Sequence, residues 1–575
     1  MKILLDGLFV LNLYKEEIAI FFVSTLGAGL WIVRFLLPDR KEDDYARFPM
    51  AFGLGSLVLV LFAFAVILLS RLWYPFLLFG SFAVLILAVL AFVDSLRRGE
   101  FSIRSLIIFC LFFFGLAVIR LAFLRNILLP PYNDSPEHYA IVQSFLSDNS
   151  NSLFYSIENI TGHYYHFGFH SLAAWISSVF LVDQAGIIGL LGQLFLVVFP
   201  FSIFILAYVV GRDWRAGLAS ASFAAFAWRM PVYAANWGKY PAMMGIALFP
   251  VVIACWILYM RSSKRSRIAL GVLCVLTAAL VFVHSRLAVC LLVALISFVL
   301  IGKFPINERL KLWQTALLAG FTCIGFLAFG NSLFPFYANG YFVALGSVAL
   351  LLPFAFYVRP RFSLGITFFV WGILIASRVP TFIEGGGLTW LDQPFVEILL
   401  SIPLSLSAGI GFIGLLEQLK SPNAKRIAIG GIVAILLIGF ATSNVMSPDP
   451  CCNYVKPEDL QAIQWLKQNA PQDAVVWIPG FKSRNYMLGM DAGIWVQPLT
   501  GLNANKLPYD FAWNAPDAIA RICKPNIKDV YIYEGGQPYS FDDAILAEQS
   551  WLRRVFSLEQ TRVYWAMACA NQMSH

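Results

Sequence analysis

Three side chains able to take or give a proton fall within five residues of one another in LLPPYNDSPEHYAIVQSFLSDNS: Asp134, Glu137 and His138. Two carboxylates and an imidazole so close together suit general acid–base work, in which a carboxylate takes the proton of an attacking hydroxyl. Pro130 and Pro131 hold the approach extended. Ser135-Pro136 predicts a helix start with Glu137 in its first turn. Asp134 then stands at the positive end of that helix, where its ionised form is favoured. The plainer alternative is that Asp134 is an N-cap and Glu137 an ordinary first-turn carboxylate.

Four of the six histidines lie in residues 138–170: His138, His163, His166 and His170. In TGHYYHFGFH the last three are spaced i, i+3, i+7 and would share one face of a helix. Imidazole with carboxylate suits a divalent transition ion. Gly162 and Gly168 interrupt that helix, however, and Tyr and His commonly populate a membrane interface. Acid–base work or contacts to a sugar are therefore the preferred reading of these histidines. Isolated cations recur further on: Arg229 and Lys239, with Asn236 and Tyr240, in WRMPVYAANWGKYP; His284 and Arg286 in FVHSRLAV; and Arg378 in ASRVP. The HSR triplet divides a long apolar stretch with almost no loop around it, so its charges must face protein, water or a bound anion. Arg and Lys converging among aromatic neighbours suit a phosphate or pyrophosphate. The alternative is that they reach lipid headgroups or pair with Glu384 and Asp392.

The elements that position these residues are set by composition. The chain has 575 residues, 59% hydrophobic, 16% aromatic and only 13% charged, with a mean hydropathy of +0.74. A soluble globular chain carries about 25% charged residues, and disorder needs low hydrophobicity, so both are excluded; the main solvent is lipid. Apolar segments of near-spanning length fall at roughly 18–37, 48–70, 74–94, 103–124, 187–210, 214–230, 241–260, 268–283, 286–302, 312–330, 341–357, 363–378, 395–415 and 426–443.

The loops between them alternate in charge. One set, DRKEDDYAR, RRGEFSIR, GRDWR, RSSKRSR, KFPINERLK, VRPR and KSPNAKR, holds 20 Lys and Arg, and the opposite set holds 8. The basic set is expected in the cytoplasm. FGFHSLAAWISSVFLV (167–182) is apolar enough to span, but counting it would invert every later loop. It is expected to be an interfacial or re-entrant helix on the outer face. The N-terminal MKILLDGLFVLNLYKEE is too short and too interrupted by acids to span. Without a small-residue cleavage site, it is not expected to be a removed signal peptide.

Residues 444–575 carry 11 basic and 13 acidic groups, so the positive balance belongs to the membrane part, with a net of +10, and implies no nucleic-acid partner. This segment alternates helix-like PEDLQAIQWLKQNA with strand-like AVVWI, KDVYIY and TRVYWAM. Four of nine cysteines lie in it, and disulfides there require an oxidising compartment. The expected fold class is mainly α: a polytopic transmembrane bundle of about 13–15 spans with a small C-terminal soluble α/β domain. The expected division is residues 1–124, N-terminal spans; 125–186, an extracytoplasmic loop with the acidic motif; 187–443, a helix bundle; and 444–575, an extracytoplasmic domain.

This arrangement resembles the GT-C superfamily of integral-membrane glycosyltransferases, which includes protein O-mannosyltransferases, lipid A aminoarabinose transferases and oligosaccharyltransferase subunits. The resemblance rests on the acidic motif YNDSPEHY in a large outer loop, the juxtamembrane FGFHSLAAW, the basic turn VVGRDWRAG, the outer AWRMPVYAANWGKYP, the HSR triplet and the terminal α/β domain. It implies sugar transfer from a polyprenyl-phosphate or pyrophosphate donor to an acceptor on the extracytoplasmic face, in the plasma membrane. It also implies that Asp134 is the catalytic base or a metal ligand. The catalytic candidates are Asp134, Glu137 and His138; the substrate-binding candidates are His163, His166, His170, Arg229, Lys239, Tyr240, His284, Arg286 and Arg378. A divalent cation, Mg or Mn, held by Asp134 and Glu137 is the cofactor such a site would accommodate. The partners are the lipid-linked donor and membrane lipids.

The chain departs from the GT-C pattern in having three spans ahead of the core and no WWDYG-like motif. MDAGIWVQPLTG (490–501) is a Gly-bounded, aromatic-bearing segment with two readings, a part of the site or a plain domain loop, and the domain loop is preferred. Two other classes compete. A flippase or transporter of lipid-linked sugars predicts an internal repeat and midplane ionisable groups, and neither is evident. A non-catalytic assembly protein would make the outer domain its working part.

Overall fold

The structure, a computed structural model, describes residues 1–36, 44–147, 166–262, 266–303, 310–330, 342–381, 389–443, 445–483, 486–523 and 529–571. Among them eight helices are long and apolar enough to cross a membrane: Lys15–Arg34, Tyr45–Ser70, Pro75–Arg97, Ile103–Asn126, Gln184–Gly211, Tyr240–Arg261, Gln393–Gln418 and Pro422–Ser443. Five shorter apolar helices accompany them: Arg267–Val283, Leu287–Gly302, Trp313–Ile324, Leu345–Val358 and Pro360–Ala376. With a small C-terminal sheet, this is the mainly α membrane bundle plus α/β domain that the sequence predicts.

Two further helices are shorter than a span. Gly168–Phe180 has 13 residues, about 20 Å at 1.5 Å per residue, against a bilayer core of about 30 Å. Its first turn lies near the end of Arg267–Val283, and its last turn borders Ser70 and Arg71 at the end of Asp44–Ser70. Both ends thus lie at the same end of the bundle, and the helix runs along that end instead of crossing. Trp214–Phe226 also has 13 residues. Beyond it the chain continues through Ala227, Trp228 and Met230, all buried, with Trp228 Nε1 donating to Ser405 Oγ at 2.9 Å. Protein thus covers the non-helical backbone that follows this short helix.

Polar contacts respect the alternation of the loops. Arg34 pairs with Asp94 at 2.6 Å and with Glu100 at 3.0 Å, Arg47 pairs with Glu100 at 3.2 Å, and Arg261 donates to Val209 O at 2.6 Å. All of these lie in the loops of the basic set or at the helix ends beside them. Arg71 to Phe145 O, at 3.2 Å, and Arg286 to Asp392, at 2.9 Å, join members of the opposite set.

By contacts the chain forms two units, one of residues 1–125, 145–235 and 239–447, the other of 126–144, 236–238 and 448–575. The second gathers three segments that the charge pattern places on one side of the membrane. Its sheet has the order β2-β1-β4-β6-β5, with β3 also on β1. The strands are β1 Val475–Ser483, β2 Tyr486–Gly489, β3 Asn503–Pro508, β4 Val530–Glu534, β5 Leu552–Leu558 and β6 Thr561–Ala566. β1 pairs parallel with β3 and β4, and β4 pairs antiparallel with β6. β4 is buried along its whole length, as a central strand covered on both faces must be. A disulfide joins Cys523 to Cys569 within the core built on Trp477, Ile532 and Tyr564.

Candidate functional site

In the first unit, side chains from four separate segments meet at one end of the bundle. His166 lies one residue before Phe167, the N-cap of the helix Gly168–Phe180, and His170 sits in the first turn of that helix. His284 caps the C-terminus of Arg267–Val283, its extended backbone ending that helix. The rings of His166 and His284 have centroids 4.1 Å apart, and those of His166 and His170 are 6.5 Å apart. Phe395 stacks on His284 at 4.8 Å, and Phe169 stacks on Tyr240 at 6.2 Å. His166, His170, His284 and Tyr240 are all at most 5% exposed.

Two glycines let the segments close on His284. A Cβ at Gly168 would lie 2.9 Å from Val283 Cα, and one at Gly245 would lie 2.6 Å from Leu287 Cδ1 and 3.3 Å from His284 Cβ. The helix begins only at Gly168, so the i, i+3, i+7 spacing is not what assembles the histidines. The partner of His166 comes from another helix, and His163 lies outside the described residues.

At the rim of this group Arg286 Nη1 pairs with Asp392 Oδ2 at 2.9 Å, each side chain one-third exposed. The other oxygen of Asp392 accepts Phe395 N–H at 3.0 Å and so caps the helix Gln393–Leu399 that carries Phe395. Arg286 thus follows the pairing alternative with Asp392; Glu384 lies outside the described residues. Arg229 lies 3.8 Å over the ring of Tyr233, and Lys239 precedes Tyr240 at the head of Tyr240–Arg261. Arg378 stands exposed in the turn after Pro360–Ala376. A further ionisable group, Glu397, was not singled out in the sequence. It is 1% exposed, and its Oε1 accepts Gln393 Nε2 at 2.9 Å. The signal was there, an acid inside the apolar run FVEILLSIPL.

Asp134, Glu137 and His138 belong to the second unit. Asp134 and Glu137 occupy the first turn of Asp134–Leu146; Asp134 is half-buried, Glu137 exposed and His138 buried. Tyr132 precedes them in a left-handed conformation, φ 66°, which turns the chain into the helix. Its N–H donates to Cys452 O at 3.0 Å and its ring meets Tyr454 at 6.2 Å. Tyr139 packs edge-on against Trp495 at 5.6 Å, so the 490–501 segment supports the acidic helix. Asn236 Oδ1 accepts Asp449 N–H at 2.8 Å, and Gly238 lies against Ser135.

Buried carboxylates in this unit were also missed by sequence reasoning. Asp491 accepts Gly493 N–H at 2.9 Å, Ser540 Oγ–H at 2.9 Å and Gly535 N–H at 3.1 Å, and burial pushes its carboxyl well above the ordinary range. Asp459 accepts the hydroxyls of Tyr533 at 2.6 Å and Thr561 at 2.7 Å. These acids hold β4, β6 and the 490s segment together.

Among the described residues, no group of three or more His, Cys, Asp and Glu is arranged to hold a metal ion. Asp134 and Glu137 share the first turn of one helix.

Fold and site together define a polytopic membrane protein whose buried histidines gather at one end of its helices. Residues 48–350, more than half of the chain, match the family of unknown function DUF6541, and the chain belongs to that family. No curated protein matches it. Among solved structures, the cryo-EM structure of the arabinofuranosyltransferase AftD from Mycobacteria is similar at 13% identity and a TM-score of 0.37, over 69% of this chain and 35% of that one. The structure of an AftD mutant is similar at 13% identity and 0.36, over 70% and 37%. The chain therefore spans about a third of the length of these proteins.

Proposed function

We propose that this protein is a membrane glycosyltransferase that moves a sugar from a polyprenyl-phosphate-linked donor to an acceptor on the extracytoplasmic face. The observation that carries this reading is the meeting of His166, His170, His284 and Tyr240, rimmed by Arg286, at one end of the bundle. A transporter needs its ionisable groups along a path through the midplane. Chemistry on the headgroup of a membrane lipid needs them at the membrane surface, with apolar and aromatic walls. Buried imidazoles offer both donors and acceptors to sugar hydroxyls, and aromatic faces suit sugar rings. Arg286, Lys239 and Arg378 are the cations proposed for the leaving phosphate.

In the proposed reaction Asp134 takes the acceptor's hydroxyl proton, the oxygen bonds to the anomeric carbon and the bond from that carbon to the phosphate oxygen breaks. Polyprenyl phosphate leaves with the electron pair. Glu137 and His138 are proposed to assist the proton's departure. The charge asymmetry of the loops and the Cys523–Cys569 disulfide support an extracytoplasmic site. The test is Asp134→Asn, with folding checked by thermal melting, assayed for glycan transfer in membranes supplied with a polyprenyl-linked donor. A fall of roughly 100-fold or more is expected; undiminished transfer removes Asp134 from the site.

A further inference from the structure

Where the helix Asp44–Ser70 turns into Pro75–Arg97, the last turn of Gly168–Phe180 closes a cavity of about 380 Å³. Its size is that of a small-molecule site. Polar groups line one part, with Arg71, Ser177, Ser178 and Gln184 among them, and Ile67, Leu77 and Leu181 give it apolar walls.

Three details describe what it would hold. Ser177 is 3% exposed, and its hydroxyl has no hydrogen-bond partner among the described residues. Ser178 Oγ, by contrast, donates to Ala174 O at 2.8 Å. Arg71 is positioned at the cavity by the bond from Nη2 to Phe145 O, 3.2 Å. Helices also end at Ser70, Leu146 and Phe180, and residues at all three ends line the space; the last carbonyls of a helix carry partial negative charge and can accept further hydrogen bonds. Beside it Leu72 is 84% exposed and Leu181 85%, with Trp73 stacked on Phe79 at 5.8 Å. Such a rim belongs among lipid chains.

We propose that this cavity seats the headgroup of a membrane phospholipid that is anionic and carries free hydroxyls, of the phosphatidylglycerol kind, at a site separate from the histidine group. The phosphate goes to the Arg71 guanidinium. The headgroup hydroxyls donate to the helix-end carbonyls and accept from Ser177. A bare phosphate brings no donors to those carbonyls, and a choline headgroup brings neither donors nor net charge. The acyl chains lie along Leu72 and Leu181. Binding here does not depend on the glycosyltransferase reading.

The full-length protein, purified in detergent and equilibrated with equal amounts of phosphatidylglycerol and phosphatidylcholine, is examined by native mass spectrometry. Phosphatidylglycerol is expected to be retained at least about fivefold over phosphatidylcholine. Arg71→Ala and the cavity-filling Ser177→Leu should each bring the ratio towards one, and Arg97→Ala should not. Unchanged thermal melting separates lost binding from lost folding, and either variant alone suffices if the other fails to fold. Equal retention of the two lipids by the wild-type protein, or a ratio unmoved in the folded variants, overturns the proposal. So does displacement by inorganic phosphate, which would make the ligand a free anion, or by polyprenyl phosphate, which would make the cavity the donor's.

Discussion

The imidazoles of His166 and His284 lie with ring centroids 4.1 Å apart, brought from opposite sides of five intervening helices in the sequence. Both residues are only 5% exposed, and Phe395 stacks on His284. Replacing His284 with Ala removes both the contact and the stack. Transfer from a lipid-linked donor is expected to fall by roughly 100-fold, measured against protein amount in membranes, while His284→Gln retains part of it through its amide.

Arg286 and Asp392 are one-third exposed, so their ion pair contributes about 0–1 kcal/mol to stability. Arg286→Gln should leave the melting temperature nearly unmoved yet raise the donor KM about tenfold or more, because a phosphate-binding cation is lost. An unmoved KM would leave Arg286 as a structural partner of Asp392.

Gly168→Val tests the close approach that assembles the group. The added Cβ meets the Val283 backbone at 2.9 Å, which cannot yield as a flexible side-chain end does. A cost of about 1–3 kcal/mol is expected, read as lowered thermal stability in detergent. Gly115→Ala, whose Cβ would meet nothing within 4 Å, is the control.

In the second unit, burial pushes the Glu534 carboxyl up to about 7, with Gly536 N–H and Arg562 acting in the other direction. From its ordinary 4.5 to about 7, the folded state holds the proton that the unfolded chain has released. Stability therefore falls as pH rises through that window, by an order of magnitude of about 3 kcal/mol. Asp491 and Asp459, both raised by burial, act in the same sense. Glu534→Gln should flatten part of this slope, as followed by melting at pH 5 and pH 7.5.

The Cys523–Cys569 bridge closes a sequence separation of 46. Its removal in a double serine variant should cost the second unit about 2–4 kcal/mol. In the native protein these two cysteines should resist thiol labelling until a reductant is added. Ready labelling without reductant would contradict an outer location.

Much of the architecture is legible in the chain, because hydropathy and loop charge report directly on lipid and water. Residues 167–182 show why parity matters: hydropathy alone makes them a span, and the structure makes them a 13-residue helix lying along one end. Hydropathy does not rank the helices by position. Gln184–Gly211 is buried over most of its length, whereas Gly439 and Ser443 are the buried residues of Pro422–Ser443, although both are strongly apolar. Lipid and protein interior are alike to an apolar side chain. For the candidate site, the residue types were visible and the partners were not. His166 and His170 invited a helical reading, but the contact of His166 with His284 is long-range. Asp134 was legible as the start of a helix in an outer loop; that Tyr132, Tyr139 and Gly238 build that helix into the C-terminal unit was not. Asp491 escaped notice because a single acid in a loop has no spacing to mark it, whereas Glu397 was marked only by standing alone in an apolar run.

The central claim is tested most directly with purified protein in proteoliposomes, supplied on the outer side with a radiolabelled sugar on polyprenyl phosphate and an extract of cell-envelope acceptors. The proposal predicts label in the acceptor fraction and release of polyprenyl phosphate, both lost by roughly 100-fold in folded His284→Ala and Asp134→Asn proteins. Transfer that proceeds equally in both variants, or movement of the intact labelled lipid across the bilayer without transfer, would contradict it.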